Sequence, residues 1–217
     1  MDFKKNKYTV IRNAVSKELC EFLEGYFLLK RKVVETFFQN KYISPFEKDW
    51  GVWNDVQVPG TYSHYADIAM ETLLVKVIPV MHIHIGEKLL PTYSYARIYK
   101  KGDVLHRHKD RFSCEISTTL NLGGDLWPIF IDPTGEDNII DQDKHTIKPS
   151  AHKGEKIILN QGDMLLYSGC DLEHWREPFE GIDCVQVFLH YNTYNEENLK
   201  NKFDGRPHLG LPNSFQM

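Results

Sequence analysis

The chain is organised around the seven residues LHRHKDR at positions 105–111. They contain a His-x-Asp pair, His108 and Asp110, and a third candidate, His174, lies far downstream in CDLEHWR at 170–176. Residues i and i+2 of a β-strand point to the same side. If residues 104–110 are extended, His108 and Asp110 face the same point. His174 must then reach that point from another strand.

Two imidazoles and one carboxylate are a ligand set that suits a divalent transition metal. Three protein ligands on one face, with the other positions open, form the facial triad of non-haem Fe(II) oxygenases. The pattern therefore predicts His108, Asp110 and His174 as iron ligands. A His-x-Asp pair alone is common, and the chain has ten histidines. His106 lies on the same predicted strand face as His108 and is an alternative ligand if the register differs.

The composition is that of a soluble globular protein, with 41% hydrophobic and 26% charged residues in 217. A net charge of -4 argues against a broad basic surface for nucleic acid. The four cysteines form no C-x-x-C pair, which disfavours a structural zinc site. The start of the chain has no hydrophobic signal segment, and no apolar run is long enough to span a membrane. We therefore expect a cytoplasmic protein with reduced thiols and no membrane association.

The first part of the chain is predicted to be mainly helical, over about residues 8–90. After a short strand at 8–12, Ser16 is a predicted helix N-cap, and apolar residues recur at helical spacing to about Lys32. Residues 33–65 are predicted to be an irregular, aromatic-rich loop beside a cavity. A second helix is predicted from Asp67 to about Gly86, and Pro79 should kink or end it.

From about residue 91 the pattern changes to short strands separated by turn residues. The predicted strands cover residues 92–100, 104–110, 115–122, 127–131, 144–147, 156–159, 163–167 and 184–194. Helices followed by strands at this spacing indicate an α+β, mainly β protein. We predict a double-stranded β-helix (jelly roll) core over about 91–195 with N-terminal supporting helices. Together they form one domain, 1–195, and residues 196–217 are predicted to be a C-terminal tail.

Four sequence elements then give a resemblance to a known family. They are RIYKKG at 97–102, HKD at 108–110, GDMLLY at 162–167, and His174. In this order and spacing, over about residues 8–194, the chain resembles the 2-oxoglutarate- and Fe(II)-dependent oxygenases, most closely their prolyl 4-hydroxylase-like branch.

The resemblance implies a double-stranded β-helix that decarboxylates 2-oxoglutarate to succinate and CO2 and hydroxylates an organic substrate. It implies Fe(II), 2-oxoglutarate and O2, and it admits ascorbate as an additional reductant. The expected partner is a peptide, protein or small-molecule substrate, with a prolyl residue as the first choice. Nucleic acid is not expected, and no oligomeric state is implied.

The residue that anchors 2-oxoglutarate is not obvious from the resemblance. In the prolyl-hydroxylase branch a basic residue lies farther along the chain from the distal His, but here that stretch, GIDCVQ at 181–186, has no Lys or Arg. A guanidinium is a natural partner for a carboxylate. We favour Arg176 over Arg97, and we expect Arg111 to point the opposite way from Asp110. By the resemblance, Tyr99 and Thr119 also contact the cosubstrate.

Two other classes of protein fit parts of the pattern. One is a non-catalytic jelly-roll binding module with a vestigial metal site, which the missing basic residue would favour. The other is a cupin-type metalloenzyme without 2-oxoglutarate, which would use His106, His108 and Glu115. Fold-level likeness alone does not decide between them, but the position of these side chains does.

Overall fold

The computed structural model describes residues 3–44 and 46–216 of the chain. The helices are α1 (Phe3–Asn6), α2 (Lys17–Gln39), α3 (Ile68–Lys76) and α4 (Ile78–Ile85). The strands before and around the predicted site are β1 (Tyr8–Ile11), β2 (Tyr62–Tyr65), β3 (Leu89–Lys100), β4 (Leu105–His108), β5 (Ile116–Gly124) and β6 (Ile129–Ile131). The later strands are β7 (Ile139–Asp141), β8 (Thr146–Ile147), β9 (Glu155–Ile157), β10 (Met164–Ser168), β11 (His174–Arg176) and β12 (Asp183–Thr193).

The strands form two principal sheets. The larger has six strands in the order β1-β10-β5-β12-β3-β2, and the smaller has four in the order β4-β11-β6-β9. Strands β7 and β8 form a separate hairpin. Every pairing between these described strands is antiparallel. The predicted mainly-β jelly roll with N-terminal helices is confirmed.

Helix α2 begins as predicted but is longer than predicted. The Ser16 side chain accepts a hydrogen bond from the Leu19 amide, so Ser16 is the N-cap. The helix continues past Lys32 to Gln39 because residues 33–39 contain no Gly or Pro, and Val34 is buried. The predicted loop after it is also partly wrong, because residues 62–65 form β2 on the edge of the larger sheet.

The second predicted helix is divided in two, as Pro79 suggested. Asp67 caps α3 by accepting from the amides of Ala69 and Met70. Pro79 lies in the first turn of α4, where it removes no intrahelical hydrogen bond. Helices α3 and α4 meet at a bend of 42°. Within residues 3–44 and 46–216, no single helix is long and apolar enough to cross a membrane, although the bent pair taken together reaches that length and composition.

The main core lies between the helices and the outer face of the larger sheet. Leu23 and Phe27 of α2 are buried in one cluster with Leu120 of β5 and Val187 of β12. Because side chains alternate along a strand, the opposite face of these strands points toward the smaller sheet. A second set of buried residues, including Leu105 and Phe188, fills the space between the sheets. The helices thus leave the inner face of the larger sheet free to build a site.

The glycine turn before β10 fixes that strand beside β1. Gly162 has φ +85°, and a Cβ there would lie 2.5 Å from the carbonyl oxygen of Val15. The next residue, Asp163, accepts hydrogen bonds from Arg12 at 2.6 Å and from the Asn13 amide at 3.0 Å. Only glycine fits this close approach without displacing the backbone.

Residues 196–216, which the sequence predicts as a tail, pack on the domain. Arg206 is buried and donates to the Glu71 carboxylate of α3 at 2.8 Å. Asp204 accepts from Tyr65 at 2.7 Å and from Arg111 at 2.6 Å. These polar contacts attach the segment to α3 and the larger sheet, and Leu209 packs against the main core.

Candidate active site

The structure brings the three predicted ligands together at the edge of the smaller sheet. His108 ends β4 and lies directly opposite His174 of β11. The Nε2 atom of His174 is 3.5 Å from Asp110 Oδ1, and that of His108 is 3.6 Å from the same oxygen. One ligand atom from each of the three residues lies within 4.8 Å of the others. The separations suit a single ion bound by all three side chains.

Asp110 reaches this point from a loop rather than from the strand. Strand β4 ends at His108, so the expectation that residues 104–110 are all extended is wrong at its end. The Asp110 amide donates to the Gly169 carbonyl at 2.9 Å, which ties this loop to the segment before His174. The tie places the carboxylate between the two imidazoles.

Both imidazoles are oriented by backbone carbonyl groups. His108 Nδ1 donates to the His106 carbonyl at 2.7 Å, and His174 Nδ1 donates to the Leu172 carbonyl at 3.0 Å. Because a carbonyl oxygen can only accept, each Nδ1 carries a hydrogen, and in the neutral imidazole Nε2 is then the nitrogen with the lone pair. Both lone pairs point toward Asp110, as metal ligation requires.

The Asp110 carboxyl is held in its ionised form. Burial alone would raise its pKa, but the adjacent imidazoles of His174 and His108 lower the pKa well below its usual value. Its second oxygen accepts a hydrogen bond from Ser117 Oγ at 2.7 Å. The pKa of the His108 imidazole is also lowered, by burial and then by the charge of His174, whereas burial lowers but Asp110 raises the pKa of His174, which lies above its usual value. A neutral imidazole beside a carboxylate is the ligand form that a divalent ion needs.

The alternative ligands lie elsewhere. His106 is exposed and stacks on His145, with ring centroids 3.6 Å apart. The Glu115 carboxylate accepts from Thr193 at 2.8 Å and from Asn192 at 3.3 Å. The set that a cupin-type site would need is therefore not among the metal-competent clusters of residues 3–44 and 46–216.

A buried polar cluster on the other side of the smaller sheet fixes the two ligand strands. Arg107, next to His108, donates to Glu173, next to His174, at 2.6 Å. The Arg107 guanidinium also binds Asp132, and the Asn138 amide donates to Glu173 at 2.7 Å. Since neighbouring residues of a strand point to opposite sides, this outward pair holds the inward imidazoles in register.

The triad lines a cavity between the two sheets, here called the inner cavity, with a volume of 330 Å³. Its aromatic walls come from Tyr93, Tyr95, Tyr167 and Phe188. Arg97 also lines it. A volume of this size is typical of small-molecule sites.

Comparison of the structure with solved structures finds similar folds, whereas comparison of the sequence finds no match. No protein-family model and no curated protein sequence matches the chain. A prolyl-4-hydroxylase of Pseudomonas putida matches at 12% identity over 89% of this chain and 96% of that chain, with a TM-score of 0.55. HygX of Streptomyces hygroscopicus, solved with nickel, 2-oxoglutarate and hygromycin B, matches at 13% identity over 88% and 84%, with a TM-score of 0.59. The 2-oxoglutarate-dependent epimerase SnoN from nogalamycin biosynthesis matches at 11% identity over 97% and 90%, with a TM-score of 0.60.

The fold is that of the 2-oxoglutarate- and Fe(II)-dependent oxygenases. Within this oxygenase fold, the triad occupies the edge where β4 and β11 meet. The predicted cosubstrate residues lie deeper between the sheets. The two arginines among them differ in whether an acidic side chain balances their charge.

Arg176 is a buried guanidinium without an acidic partner. It follows His174 by two residues on β11 and is 1% exposed, and the register with β4 shifts between the two residues, so that Arg176 lies opposite Leu105. It donates to the Trp127 carbonyl and, at 3.3 Å, to Thr119 Oγ1, and its Nε has no hydrogen-bond partner. None of the ion pairs of the described residues includes Arg176. Burial lowers the pKa of this guanidinium, but arginine remains charged in proteins.

Arg97 is in a different situation, because its charge is already balanced. It donates to Asp55 at 2.6 Å and to Gln57 at 2.7 Å, both from the loop before β2. It also donates to the hydroxyl of Tyr99 at 3.3 Å. Burial raises the pKa of Tyr99 overall, although the charges of Arg97 and Arg176 lower it. Tyr99 therefore lies close to both guanidinium groups. Arg176, Tyr99 and Thr119 do not line the inner cavity, whereas Arg97 does.

Arg111 does not face away from the site, contrary to the expectation. It lies on the rim of the inner cavity, over the ring of Tyr93 at 4.6 Å, and pairs with Asp204. The alternation of a strand does not apply to it because β4 ends at His108.

Four residues of the site were not predicted from the sequence. Gln57 donates to His108 Nε2 at 3.1 Å, and the Tyr167 hydroxyl is 3.4 Å from His174 Nε2. Ser117 contacts both Asp110 and, at 3.0 Å, His190. Ser117 and His190 are polar residues inside strands that are buried along most of their length, and this was an available signal. Gln57 lies in an irregular loop, where no pattern points to a role.

Proposed function

We propose that this protein is a 2-oxoglutarate- and Fe(II)-dependent dioxygenase that hydroxylates an organic substrate. His108, Asp110 and His174 would hold Fe(II), and Arg176 would anchor the distal carboxylate of 2-oxoglutarate, with Tyr99 and Thr119 as further contacts. The substrate C–H bond, O2 and 2-oxoglutarate would give C–OH, succinate and CO2, with one oxygen atom of O2 in the hydroxyl and the other in succinate.

The observation that carries this proposal is the arrangement of the three ligand atoms. One nitrogen from each of two imidazoles and one carboxylate oxygen lie within 4.8 Å of one another, and both Nδ1 hydrogens are already used by carbonyl groups. This is the donor set of a facial triad, which leaves open positions for a bidentate acid and O2. Bound Fe(II) would supply the redox chemistry that couples O2 to decarboxylation.

The protein's own side chains would bind and orient the reactants. Ser117 fixes one oxygen of Asp110, leaving the other directed at the imidazoles. Arg176, buried without an anion, offers a charge that a carboxylate would compensate. The aromatic walls of the inner cavity would exclude water from the reacting centre.

A prolyl residue as the substrate rests on the resemblance alone. A proline side chain would need an apolar, aromatic-walled entrance beside the metal ligands. Tyr93, Tyr95 and Phe188 supply such walls inside the inner cavity. The approach to His108 from outside is polar, which favours a different class of substrate, argued below.

The first test is anaerobic addition of Fe(II) and then 2-oxoglutarate, followed by visible absorption spectroscopy. We expect a weak charge-transfer band, produced by bidentate binding of the 2-oxo acid to the ferrous ion. His108→Ala, Asp110→Ala and His174→Ala should each abolish the band with the circular dichroism spectrum unchanged.

The matched control is His106→Ala, which removes an imidazole two residues from His108 on the same strand. It should retain the band. Iron binding without a band would contradict a role for 2-oxoglutarate. Absence of iron binding in the parent protein would instead support a non-catalytic binding module.

A further inference from the structure

A second cavity joins the inner cavity on the solvent side of the triad. This outer cavity, of 410 Å³, lies between the loop before β2, strand β4 and the β7–β8 hairpin. Gln57, His108 and Lys109 line both cavities. The two cavities therefore share a wall that includes His108.

Gln57 forms the partition between the two cavities. Its amide nitrogen is 3.1 Å from His108 Nε2, and its amide oxygen accepts from Arg97 at 2.7 Å. The adjacent Val56 is 94% exposed, so this partition belongs to a surface loop and not to the core. A ligand in the outer cavity would contact Gln57 as well as His108.

The charged groups of the outer cavity are already paired with each other. Arg107 binds Glu173 at 2.6 Å, and Lys109 binds Asp137 at 2.6 Å. Breaking the buried Arg107–Glu173 pair would leave a charge uncompensated, which is unfavourable, whereas the Lys109–Asp137 pair is exposed at Asp137 and contributes little. The lining thus selects for an uncharged ligand.

The other polar side chains of the outer cavity are amides and imidazoles, which form hydrogen bonds. Gln57, Gln142 and the stacked pair His106 and His145 supply both donors and acceptors. Among the described lining residues, only Val56 and Ile139 are aliphatic. An apolar ligand would remove these polar groups from water without replacing their hydrogen bonds, which is unfavourable.

We propose that the outer cavity binds the primary substrate and that this substrate is an uncharged small molecule bearing several hydroxyl groups. Hydroxyl groups both donate and accept, so they match the mixed amides and imidazoles of the lining. The aliphatic face of such a molecule would rest on Val56 and Ile139. Gln57 would lie between the bound molecule and the metal ligands. The proposal rests on the dioxygenase function proposed above.

The test uses protein loaded with Ni(II) and 2-oxoglutarate, with loading measured first by calorimetry. Four probes are then compared by saturation-transfer NMR: methyl α-D-glucopyranoside, the cation glucosamine, the anion gluconate, and an N-acetylated prolyl peptide amide. We expect transfer to the neutral glycoside and little to the other three.

Two variants locate the binding. Gln142→Ala and His145→Asn should weaken glycoside binding about threefold to tenfold, as expected for one lost hydrogen bond, and leave Ni(II) and 2-oxoglutarate affinities unchanged. Asparagine is chosen at position 145 because it tolerates the φ of 49° there. The matched control, His208→Ala, removes an exposed imidazole outside the outer cavity and should bind the glycoside normally.

The outcomes separate the two proposals. Failure to load Ni(II) and 2-oxoglutarate would count against the dioxygenase function. Normal loading with preferred binding of a charged probe, of the peptide, or of no probe would overturn the substrate class alone. Glycoside binding that survives in both Gln142→Ala and His145→Asn would overturn the location.

Discussion

Single residues of this site differ most in whether their charge has a partner. Arg97 and Arg176 are both at least nine-tenths buried and both lie near Tyr99. Arg97 is neutralised by Asp55, while Arg176 donates hydrogen bonds to a carbonyl, a hydroxyl and the amide oxygen of Gln186 and lies over the ring of Trp127. An uncompensated buried cation destabilises a folded protein. Such a group is expected where a ligand supplies the missing anion.

The first prediction separates these two guanidinium groups. Arg176→Met should weaken 2-oxoglutarate binding by about 2–5 kcal/mol, the usual effect of removing one partner of a buried charge pair. It should leave the melting temperature of the ligand-free protein unchanged or higher, because an unpaired buried charge is removed. Calorimetric titration and thermal unfolding measure the two effects.

The matched variant is Arg97→Met. It should destabilise the ligand-free protein because it leaves Asp55 without its cation. If Arg97→Met weakens 2-oxoglutarate binding more than Arg176→Met does, the anchor is Arg97.

At the scale of elements, patterns that repeat along the chain were predictable and contacts between distant segments were not. The strands of the core and the break at Pro79 followed from periodicity and from the missing N–H of proline. Strand β2 was missed because YSHY at 62–65 does not alternate, since three of its four residues are buried. The hairpin strand β7 was missed because its burial is only partial. In the site, the spacing of His108 and Asp110 together with the resemblance pointed to the three residues that the fold brings within 4.8 Å of one another.

The second prediction concerns the start of α3, where Asp67 has two roles. One oxygen caps the helix. The other accepts from Lys30 at 2.5 Å and from Tyr26 at 2.8 Å. Burial would raise the pKa of this carboxyl, but the hydrogen bond from His64 and the charge of Lys30 lower it far more, so the folded-state pKa lies below its usual value.

Because asparagine caps helices as well as aspartate does, Asp67→Asn isolates the charge. A depressed folded-state pKa adds stability above the unfolded pKa of about 3.9, and this stability is lost as the pH falls further. Urea denaturation should show Asp67→Asn destabilised by about 3 kcal/mol at neutral pH, with a smaller difference at pH values below the unfolded pKa. The exposed Asp143→Asn control should stay within about 0.5 kcal/mol of the parent protein at neutral pH. A difference that does not shrink in acid would contradict the ionic role.

At the scale of the whole molecule, the C-terminal segment and the rim of the site are connected. Asp204 binds Arg111, which follows Asp110 in sequence and lies on the inner-cavity rim. The sequence does not predict this arrangement, because a polar segment rich in Gly, Pro and Asn has no periodicity to indicate burial. The partners Glu71 and Arg206 are 135 residues apart, and only the folded chain brings them together.

The last prediction tests whether this segment is an integral part of the fold. The side chains of Arg206 and Glu71 are 0% and 2% exposed, and Arg206 also donates to the Thr92 carbonyl of β3 at 3.0 Å. Arg206→Met leaves a buried carboxylate without its cation and should lower the free energy of unfolding by about 3–5 kcal/mol in urea denaturation.

Combining Arg206→Met with Glu71→Gln removes the unpaired charge. The amide oxygen of the glutamine can still accept from the Gly210 amide, which Glu71 binds in the parent protein. The double variant should therefore recover part of the loss. Equal destabilisation in the single and double variants would mean that the contacts of Arg206 to carbonyl groups, and not its charge, hold the segment in place.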